Sequence, residues 1–216
     1  MSGTGGIFLI DDNADPALAS LRYRLPAASI DTAEEPFDVA GHTFHRGTFI
    51  IRGGASAKDV SDAVDDLGLR AIAVAVAPAV ATHPVRAARI AVLHTWQRTM
   101  SEGWWRLALD TLAIPYDYIS TQTVAASENL NAKYDVILFP PADTGDDAMS
   151  IVRGMPAEWG NPLPWKTTPE TPNIGHLGSV DDSTDDMRPG LGWAGLAHLE
   201  QFVERGGVLV LSLIHI

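Results

Sequence analysis

The residues best suited to chemistry in this chain are gathered in one short segment. Two tryptophans, two arginines and a glutamate stand within eleven positions: Trp96, Arg98, Glu102, Trp104 and Arg106. With Trp105, the segment holds half of the chain's six tryptophans. Aromatic rings beside guanidinium groups suit the binding of a peptide or a sugar, or an anchored interface between domains. These five residues are therefore the candidate site.

The elements around this segment predict its position at the edge of a sheet. Residues 90–93 are apolar throughout, which is typical of a strand covered on both faces. Thr99 followed three residues later by Glu102 has the pattern of a helix capping box. The helix is expected to bury one apolar stripe, formed by Trp105, Ala108, Leu109 and Leu112. The site then lies where open α/β sheets bind ligands, beside a helix N-terminus that favours a carboxylate.

A structural role for the same residues is the alternative interpretation. Trp105 would belong to the core, and Trp104 would pack on a linker or on a long loop. Arg106 would form a surface pair with Asp110, one helical turn away. The sequence leaves packing, ligand binding and contact with another domain open.

The order of apolar patterns and turn residues predicts an α/β protein in two parts. Residues 1–84 are expected to form a small α/β unit, with a strand over 70–77 and a linker over 78–84. Residues 85–210 read as strand, helix, strand, a further crossover, strand, helix and strand. That order implies a doubly wound, mostly parallel sheet. A long loop over 141–192 is of the kind that serves as a lid or a partner surface.

Composition limits the class of partner. The formal net charge of −12 argues against nucleic acid and against anionic membrane surfaces, since both select for basic patches. The chain has no cysteine, so disulfides, thiolate metal sites and a cysteine nucleophile are excluded. No Gly-x-Ser-x-Gly elbow is present either, which leaves hydrolase chemistry of that kind unsupported.

Other polar motifs have simpler interpretations. His42 and His45 are three apart, so in a strand they point to opposite faces and do not share a metal. His94, at the end of the first strand of the second part, is either a polar group of the crevice or a structural histidine. The acidic run 181–186 lacks the spacing of a calcium loop. The glycine-rich run 53–58 lacks the Gly-Lys-Ser/Thr end of a phosphate loop, and a turn before a helix cap explains it.

The second part resembles the C-terminal region of bacterial zinc-carboxypeptidase-like proteins of the carboxypeptidase A clan. In that family a peptidase domain precedes a flavodoxin-like module similar to class I glutamine amidotransferases, and residues 37–51 look like the segment connecting the two. The residues and runs that carry the resemblance are 89–92, Trp96, Glu102, Gly103, Trp104, Arg106, Pro115, Tyr116, 134–138, 199–202 and 204–208.

The resemblance implies an accessory domain without chemistry of its own. The family's zinc is held by a His-x-x-Glu pair and a distant histidine in the peptidase domain, which this chain does not contain. Amidotransferases place a cysteine nucleophile at the sharp turn between a strand and the following helix. At the corresponding position, after Phe139, this chain has Pro140 and Pro141. The expected partner is therefore the peptidase domain in cis, with no cofactor in this chain. The resemblance leaves the cellular compartment unassigned, although proteins of this family are often exported. The alternative function is a free-standing peptide- or carbohydrate-binding module.

The last residues suggest a non-native end. Residues 211–216 match what one reading frame of a sequencing-library transposon end encodes. We therefore expect residues 211–216 to be a non-native tail, and the doubly wound sheet to be truncated at its fourth strand.

Overall fold

The computed structural model describes residues 2–96, 99–142, 149–156, 160–170, 172, 176–177, 180–181 and 183–212. The chain is an α/β protein with one mixed and one parallel sheet. It divides into two compact units: an N-terminal unit, Met1–Ala87 with Thr111–Ile114, and a C-terminal unit, Ala88–Asp110 with Pro115–Ile216. None of the helices in the described ranges is long and apolar enough to cross a membrane.

The N-terminal unit is built on a six-stranded mixed sheet in the order β1-β7-β2-β6-β3-β8. Two helices and a separate hairpin, β4-β5, complete the unit. The bounds are β1 (Ser2–Gly3), β2 (Ile7–Ile10), α1 (Ala17–Arg24), β3 (Ser29–Ala33), β4 (Phe37–Val39), β5 (His42–Phe44), β6 (Phe49–Gly53), α2 (Ala57–Asp66), β7 (Ile72–Val74) and β8 (Thr82–Pro84).

Both faces of this sheet are covered, because apolar residues follow one another along its central strands. On β2, Phe8 and Ile10 belong to the core formed with Leu21 of α1 and Val64 of α2. Leu9, between them, points to the other face and joins the core under the β4-β5 hairpin. The sheet is thus enclosed by helices on one side and by the hairpin on the other.

Local polar chemistry starts helix α2 as the sequence predicts. The Ser56 hydroxyl accepts a hydrogen bond from the Asp59 amide at 3.1 Å, and the Asp59 carboxylate accepts one from the Ser56 amide at 3.0 Å. This reciprocal pair satisfies two amide donors that the helix leaves open. The interpretation of the run 53–58 as a turn and a helix cap is confirmed.

The predicted linker over 78–84 is wrong in its second half. Residues Thr82–Pro84 form β8, which pairs antiparallel with β3 at the edge of the sheet. Proline lacks an amide donor, but an edge strand has one side without a partner strand, so Pro84 is tolerated there. The predicted strand over 70–77 is also shorter, reduced to Ile72–Val74.

The C-terminal unit contains a four-stranded, fully parallel sheet in the order β10-β9-β11-β14. Its helices and strands are β9 (Ile90–His94), α3 (Met100–Thr111), β10 (Asp117–Ser120), α4 (Thr121–Ala125), a 3-10 turn (Leu130–Ala132), β11 (Val136–Phe139), α5 (Met149–Arg153), β12 (His176–Leu177), β13 (Val180–Asp181), α6 (Gly192–Glu204) and β14 (Val208–Leu211). The chain passes from β9 outwards to β10 on one side, and then returns to β11 on the other. The order of connection therefore reverses between β9 and β11.

Helices lie on opposite faces of this sheet. Ile119 of β10 is in the core with Val124 of α4 and Phe202 of α6. Tyr118, the preceding residue, points to the other face and contacts α3. On α6, Leu199 and Phe202 are buried against this sheet. Leu196 is 43% exposed and Val203 is 48% exposed.

The long loop is tied down where its two ends meet. Gly154 forms an isolated β-bridge with Pro189, and the Met155 amide donates to the Arg188 carbonyl at 2.8 Å. A Cβ atom on Gly190 would lie only 2.5 Å from the Gly154 nitrogen, so the approach requires glycine. The strands β12 and β13 pair antiparallel between these ends. The short helix α5, Met149–Arg153, also lies within the loop.

An internal ion pair orders the second half of the loop. The Asp186 carboxylate accepts hydrogen bonds from Arg188 Nε and Nη2, at 2.9 and 2.7 Å, and from the Leu163 amide at 3.1 Å. The hydrogen bonds from Arg188 hold the pKa of Asp186 well below its ordinary range. The Asp186 carbonyl accepts a hydrogen bond from the Gln122 side chain at 2.7 Å, and this bond fixes the loop to helix α4.

The depressed pKa of Asp186 predicts how the stability of the C-terminal unit varies with pH. A carboxylate with a lowered folded pKa stabilises the fold above its unfolded pKa of about 4, and that stabilisation is lost as the pH falls through the folded value. We expect Asp186→Asn to lower the urea midpoint at pH 7, with the difference from wild type closing below pH about 4. Asp185→Asn is the control, because that side chain is 86% exposed and should matter little. A difference that persists unchanged to acid pH would contradict the role of Asp186.

Candidate functional site

A cluster of polar and aromatic side chains lies at the carboxyl end of the central strand β9. His94, the last residue of this strand, is only 2% exposed. It lies beside the point between β9 and β11 where the order of connection reverses. Crevices at such points are where open α/β sheets bind ligands.

Two aromatic rings enclose the His94 imidazole. The Tyr118 ring stacks on it with centroids 4.1 Å apart and planes inclined by 8°, and the Trp96 ring meets it edge-on at 4.9 Å. Parallel pairing of β9 with β10 sets Val92 opposite Tyr118 and His94 opposite Ser120, so His94 and Tyr118 share a face. His94 Nδ1 lies 3.0 Å from the Thr95 carbonyl oxygen, and because a carbonyl only accepts, Nδ1 carries the proton.

A buried carboxylate joins helix α3 to this stack. Glu102 is 7% exposed, and its Oε1 accepts a hydrogen bond from the Tyr118 hydroxyl. The Arg106 guanidinium lies over the Tyr118 ring, with Cζ 4.5 Å from the centroid, which is a cation–π contact. Glu102 and Arg106 are one turn apart on α3, so both reach the same tyrosine.

Two further groups lie beside Arg106. Its Nε donates to the Tyr116 hydroxyl at 3.2 Å, and that hydroxyl donates to the Asp110 carboxylate at 3.1 Å. Burial lowers the pKa of Arg106, but Tyr116, Tyr118 and Glu102 outweigh it and the pKa is raised. The guanidinium is therefore a permanent positive charge that offsets the buried Glu102 carboxylate.

We refer to His94, Trp96, Glu102, Arg106 and Tyr118 as the polar–aromatic cluster. Of the five residues predicted from the sequence, the structure brings together Trp96, Glu102 and Arg106, and it leaves Trp104 outside the cluster. Arg98 lies outside the described residues.

The sequence reasoning missed both tyrosines of this site. Tyr116 lies just before strand β10 and Tyr118 lies within it, and their types alone give no sign of a contact with α3. One signal was available: Tyr118 alternates with the apolar Ile119, so it must face away from the core that Ile119 enters. A tyrosine on the face opposite that core is a natural partner for the polar residues of the preceding helix.

Helix α3 presents an exposed apolar stripe on its outer side. Met100, Trp104 and Leu107 are 88%, 73% and 54% exposed, and their spacing of four and three residues places them on one face. We call these three residues the α3 stripe. Most of the Trp104 surface is accessible to solvent, so the described residues show no packing of Trp104 on a linker or a loop.

The predicted buried stripe of α3 is also wrong. Ala108 is exposed, whereas Trp105, Leu109 and Leu112 are only partly buried. Glu102 is the single buried residue of this helix. The buried contact of this helix is the polar one between Glu102 and Tyr118, whereas the sequence predicted a buried apolar stripe.

One donor atom of the cluster, the buried Trp96 indole nitrogen, lacks a hydrogen-bond acceptor in the described part of the chain. An indole N–H is a donor only, so its complement is a carbonyl or a carboxylate oxygen. A buried donor without an acceptor costs free energy, which a bound acceptor would recover.

Of the two histidines spaced three apart in the N-terminal unit, His45 has a structural partner. His45 Nδ1 lies 2.9 Å from the Asp11 carboxylate, which also accepts from the His45 amide and the Thr48 hydroxyl. Burial raises the pKa of Asp11, but these hydrogen bonds outweigh it and the pKa is lowered. His42 is exposed on β5. Within the described ranges, no three histidine or acidic side chains are placed to hold one metal ion.

A scan against protein-family models, a search of curated proteins and a search of solved structures each found no match to this chain.

Proposed function

We propose that this chain is a non-catalytic accessory module of a zinc-carboxypeptidase-like protein, and that α3 is the surface by which it contacts the peptidase domain. The C-terminal unit would then be the amidotransferase-like, flavodoxin-like part of that protein. Its strand order, second-first-third-fourth, supports this assignment, because flavodoxin-like sheets begin with the same order.

The α3 stripe is the observation that carries the proposal. Met100, Trp104 and Leu107 are large apolar side chains on one helix face, and tryptophan is enriched among residues that dominate binding energy. A contiguous apolar patch on a folded domain is typical of an interaction site. A partner joined in cis by a short flexible linker is present at an effective concentration in the millimolar range, so docking in cis does not require high affinity.

A supporting role agrees with the chemistry of the polar–aromatic cluster. Glu102 and Arg106 are both engaged with Tyr118, and His94 is enclosed between two rings. Pro140 and Pro141 directly follow β11. In the class I glutamine amidotransferases that this unit resembles, a cysteine nucleophile stands at this position. On this proposal the zinc site and the peptidase chemistry belong to the other domain.

The proposal predicts a large effect of Trp104→Ala on docking. The test expresses the peptidase domain encoded upstream in the same reading frame, and measures its binding to this chain by isothermal titration calorimetry. Removing an interface tryptophan should weaken binding at least about 30-fold, which is about 2 kcal/mol. Trp193→Ala is the matched control, because Trp193 is 70% exposed but lies on α6.

Two outcomes would contradict docking through α3. One is equal binding by the wild-type and Trp104→Ala chains. The other is a genomic sequence with no upstream peptidase domain carrying a His-x-x-Glu motif.

The alternative is a free-standing module that binds peptides or carbohydrates. The buried Trp96 indole N–H favours it, because a peptide carbonyl or a sugar hydroxyl would supply the acceptor that the described residues lack. Its signature is quenching of tryptophan emission by a peptide or glycan, equally in the wild-type and Trp104→Ala chains.

A further inference from the structure

A cavity opens at one end of the sheet of the N-terminal unit. It lies where the end of β2 meets the start of β7, its antiparallel neighbour, and residues of strand β5 line another side. The cavity has an apolar floor, because Ile10, Phe44 and Leu69 line it and all three are buried. Its volume of about 380 Å³ is in the range of small-molecule sites.

Two groups of opposite charge line this cavity without pairing with each other. Arg70, between α2 and β7, is exposed and forms no hydrogen bond or ion pair with any described residue. Asp15 Oδ1 accepts a hydrogen bond from the Ala17 amide at 2.9 Å, and Asp15 Oδ2 has no donor among the described residues. A cation and an anion that line one apolar cavity but stay apart complement a ligand that carries both charges.

A second carboxylate, that of Asp11, adds negative charge to the connection from β2 to α1. Asp11 also lines the cavity, and its two oxygens accept hydrogen bonds from His45 and Thr48. Burial raises the pKa of Asp11, but these hydrogen bonds outweigh it and the carboxylate stays ionised. Because the oxygens of Asp11 already have donors, Asp15 Oδ2 is the better acceptor for a ligand ammonium.

We propose that this cavity binds a free α-amino acid with an apolar side chain. The ligand carboxylate pairs with the Arg70 guanidinium, whose planar fork matches the geometry of a carboxylate. The ligand ammonium donates to Asp15 Oδ2, and the ligand side chain packs on the apolar floor. All of these residues belong to the N-terminal unit, so the proposal does not rest on the docking function of α3.

Ligands with a single charge are poorer occupants. A simple carboxylate would pair with Arg70, but it would be repelled by Asp11, by Asp15 and by the formal net charge of −12. An amine without a carboxylate would pair with Asp15 and leave Arg70 without a partner. A zwitterion pairs both groups and adds no net charge.

The test titrates L-leucine into the whole isotope-labelled chain and follows the backbone amides of residues 10–15 and 68–72 by NMR. These amides should shift saturably, with Kd below about 1 mM. L-leucinamide, which lacks the carboxylate, and isocaproate, which lacks the ammonium, should each bind at least about threefold more weakly. Glycine, which lacks the apolar side chain, should bind at least about tenfold more weakly.

Matched variants assign the two charges. We expect Arg70→Gln and Asp15→Asn each to weaken L-leucine by about three- to tenfold, since exposed ion pairs contribute modestly. Both variants should fold, because asparagine still accepts from the Ala17 amide and Arg70 has no polar contact to lose. Isocaproate should respond to Arg70→Gln but not to Asp15→Asn, and L-leucinamide should do the reverse.

The control is the double variant Glu35→Gln, Arg46→Gln, which removes one charge of each sign. Both residues are exposed in the same unit, and neither lines the cavity. Four results would overturn the proposal: no saturable binding of L-leucine with Kd below about 1 mM, equally tight binding of isocaproate or L-leucinamide, wild-type affinity of Arg70→Gln or Asp15→Asn, or equal weakening by the control.

Discussion

Replacing Phe202 by alanine is expected to lower the free energy of unfolding of the C-terminal unit by about 3–5 kcal/mol. Phe202 is 1% exposed and is among the largest fully buried side chains of the chain. It packs between α6 and the sheet with Ile119, Ile137 and Leu199. Its removal loses the transfer free energy of the ring and leaves a cavity that this packed layer cannot close.

Urea unfolding followed by tryptophan emission reports on the C-terminal unit, which contains Phe202. All six tryptophans lie between Trp96 and Trp193, and the N-terminal unit has none. The neighbouring Val203→Ala is the control, because Val203 is 48% exposed and its truncation should cost well under half as much. A Phe202→Ala chain that unfolds at the wild-type urea concentration would show that this helix does not close the core.

Replacing Glu102 by alanine is expected to cost about 2–4 kcal/mol, which is large for a charged residue. The change leaves the buried Tyr118 hydroxyl without its acceptor and removes the charge that offsets Arg106. Breaking a buried polar pair is costly for this reason, whether or not the intact pair stabilises the fold. We expect α3 to detach first, because Glu102 is its only buried residue.

Two further variants separate charge from hydrogen bonding. Glu102→Gln keeps an acceptor for Tyr118, so it should cost less than the alanine variant. Tyr118→Phe removes the donor, and its effect should not add fully to that of Glu102→Ala, with a coupling of about 1 kcal/mol or more. Additive effects would mean that the hydrogen bond between the two side chains contributes nothing to stability.

The elements that sequence reasoning found are those whose cause is local. Ser56 and Asp59 form a capping box because both partners lie within one helical turn, and the apolar run 90–93 is a buried strand because its composition leaves no polar face. Strand β8 was missed because its pairing with β3 joins residues about 50 positions apart. Nothing in the run 82–84 itself indicates a strand, and Pro84 argues against one.

The sequence indicated which side chains belong to the candidate site, but it did not predict how they are arranged. Trp96, Glu102 and Arg106 were chosen because such side chains are suited to binding, and the structure links them through His94 and Tyr118. The centre of their arrangement is Tyr118, which arrives from the next strand through the parallel register of β9 and β10. The sequence left Trp104 open to packing, to ligand binding or to contact with another domain. Trp104 lies outward because the other face of α3 holds Glu102 and Arg106.

The contact between Gly154 and Gly190 has a consequence for how this sequence can vary. It joins the two ends of the loop from Met155 to Pro189 independently of what lies inside it. The entropy of closing a loop grows only with the logarithm of its length, so doubling the number of residues costs about 0.6 kcal/mol. Insertions in the interior of this loop that leave the Asp186–Arg188 ion pair in place are therefore expected to be nearly neutral for folding, whereas any side chain at either glycine would force the ends apart. The length of the loop can therefore vary as long as both glycines and this ion pair are kept.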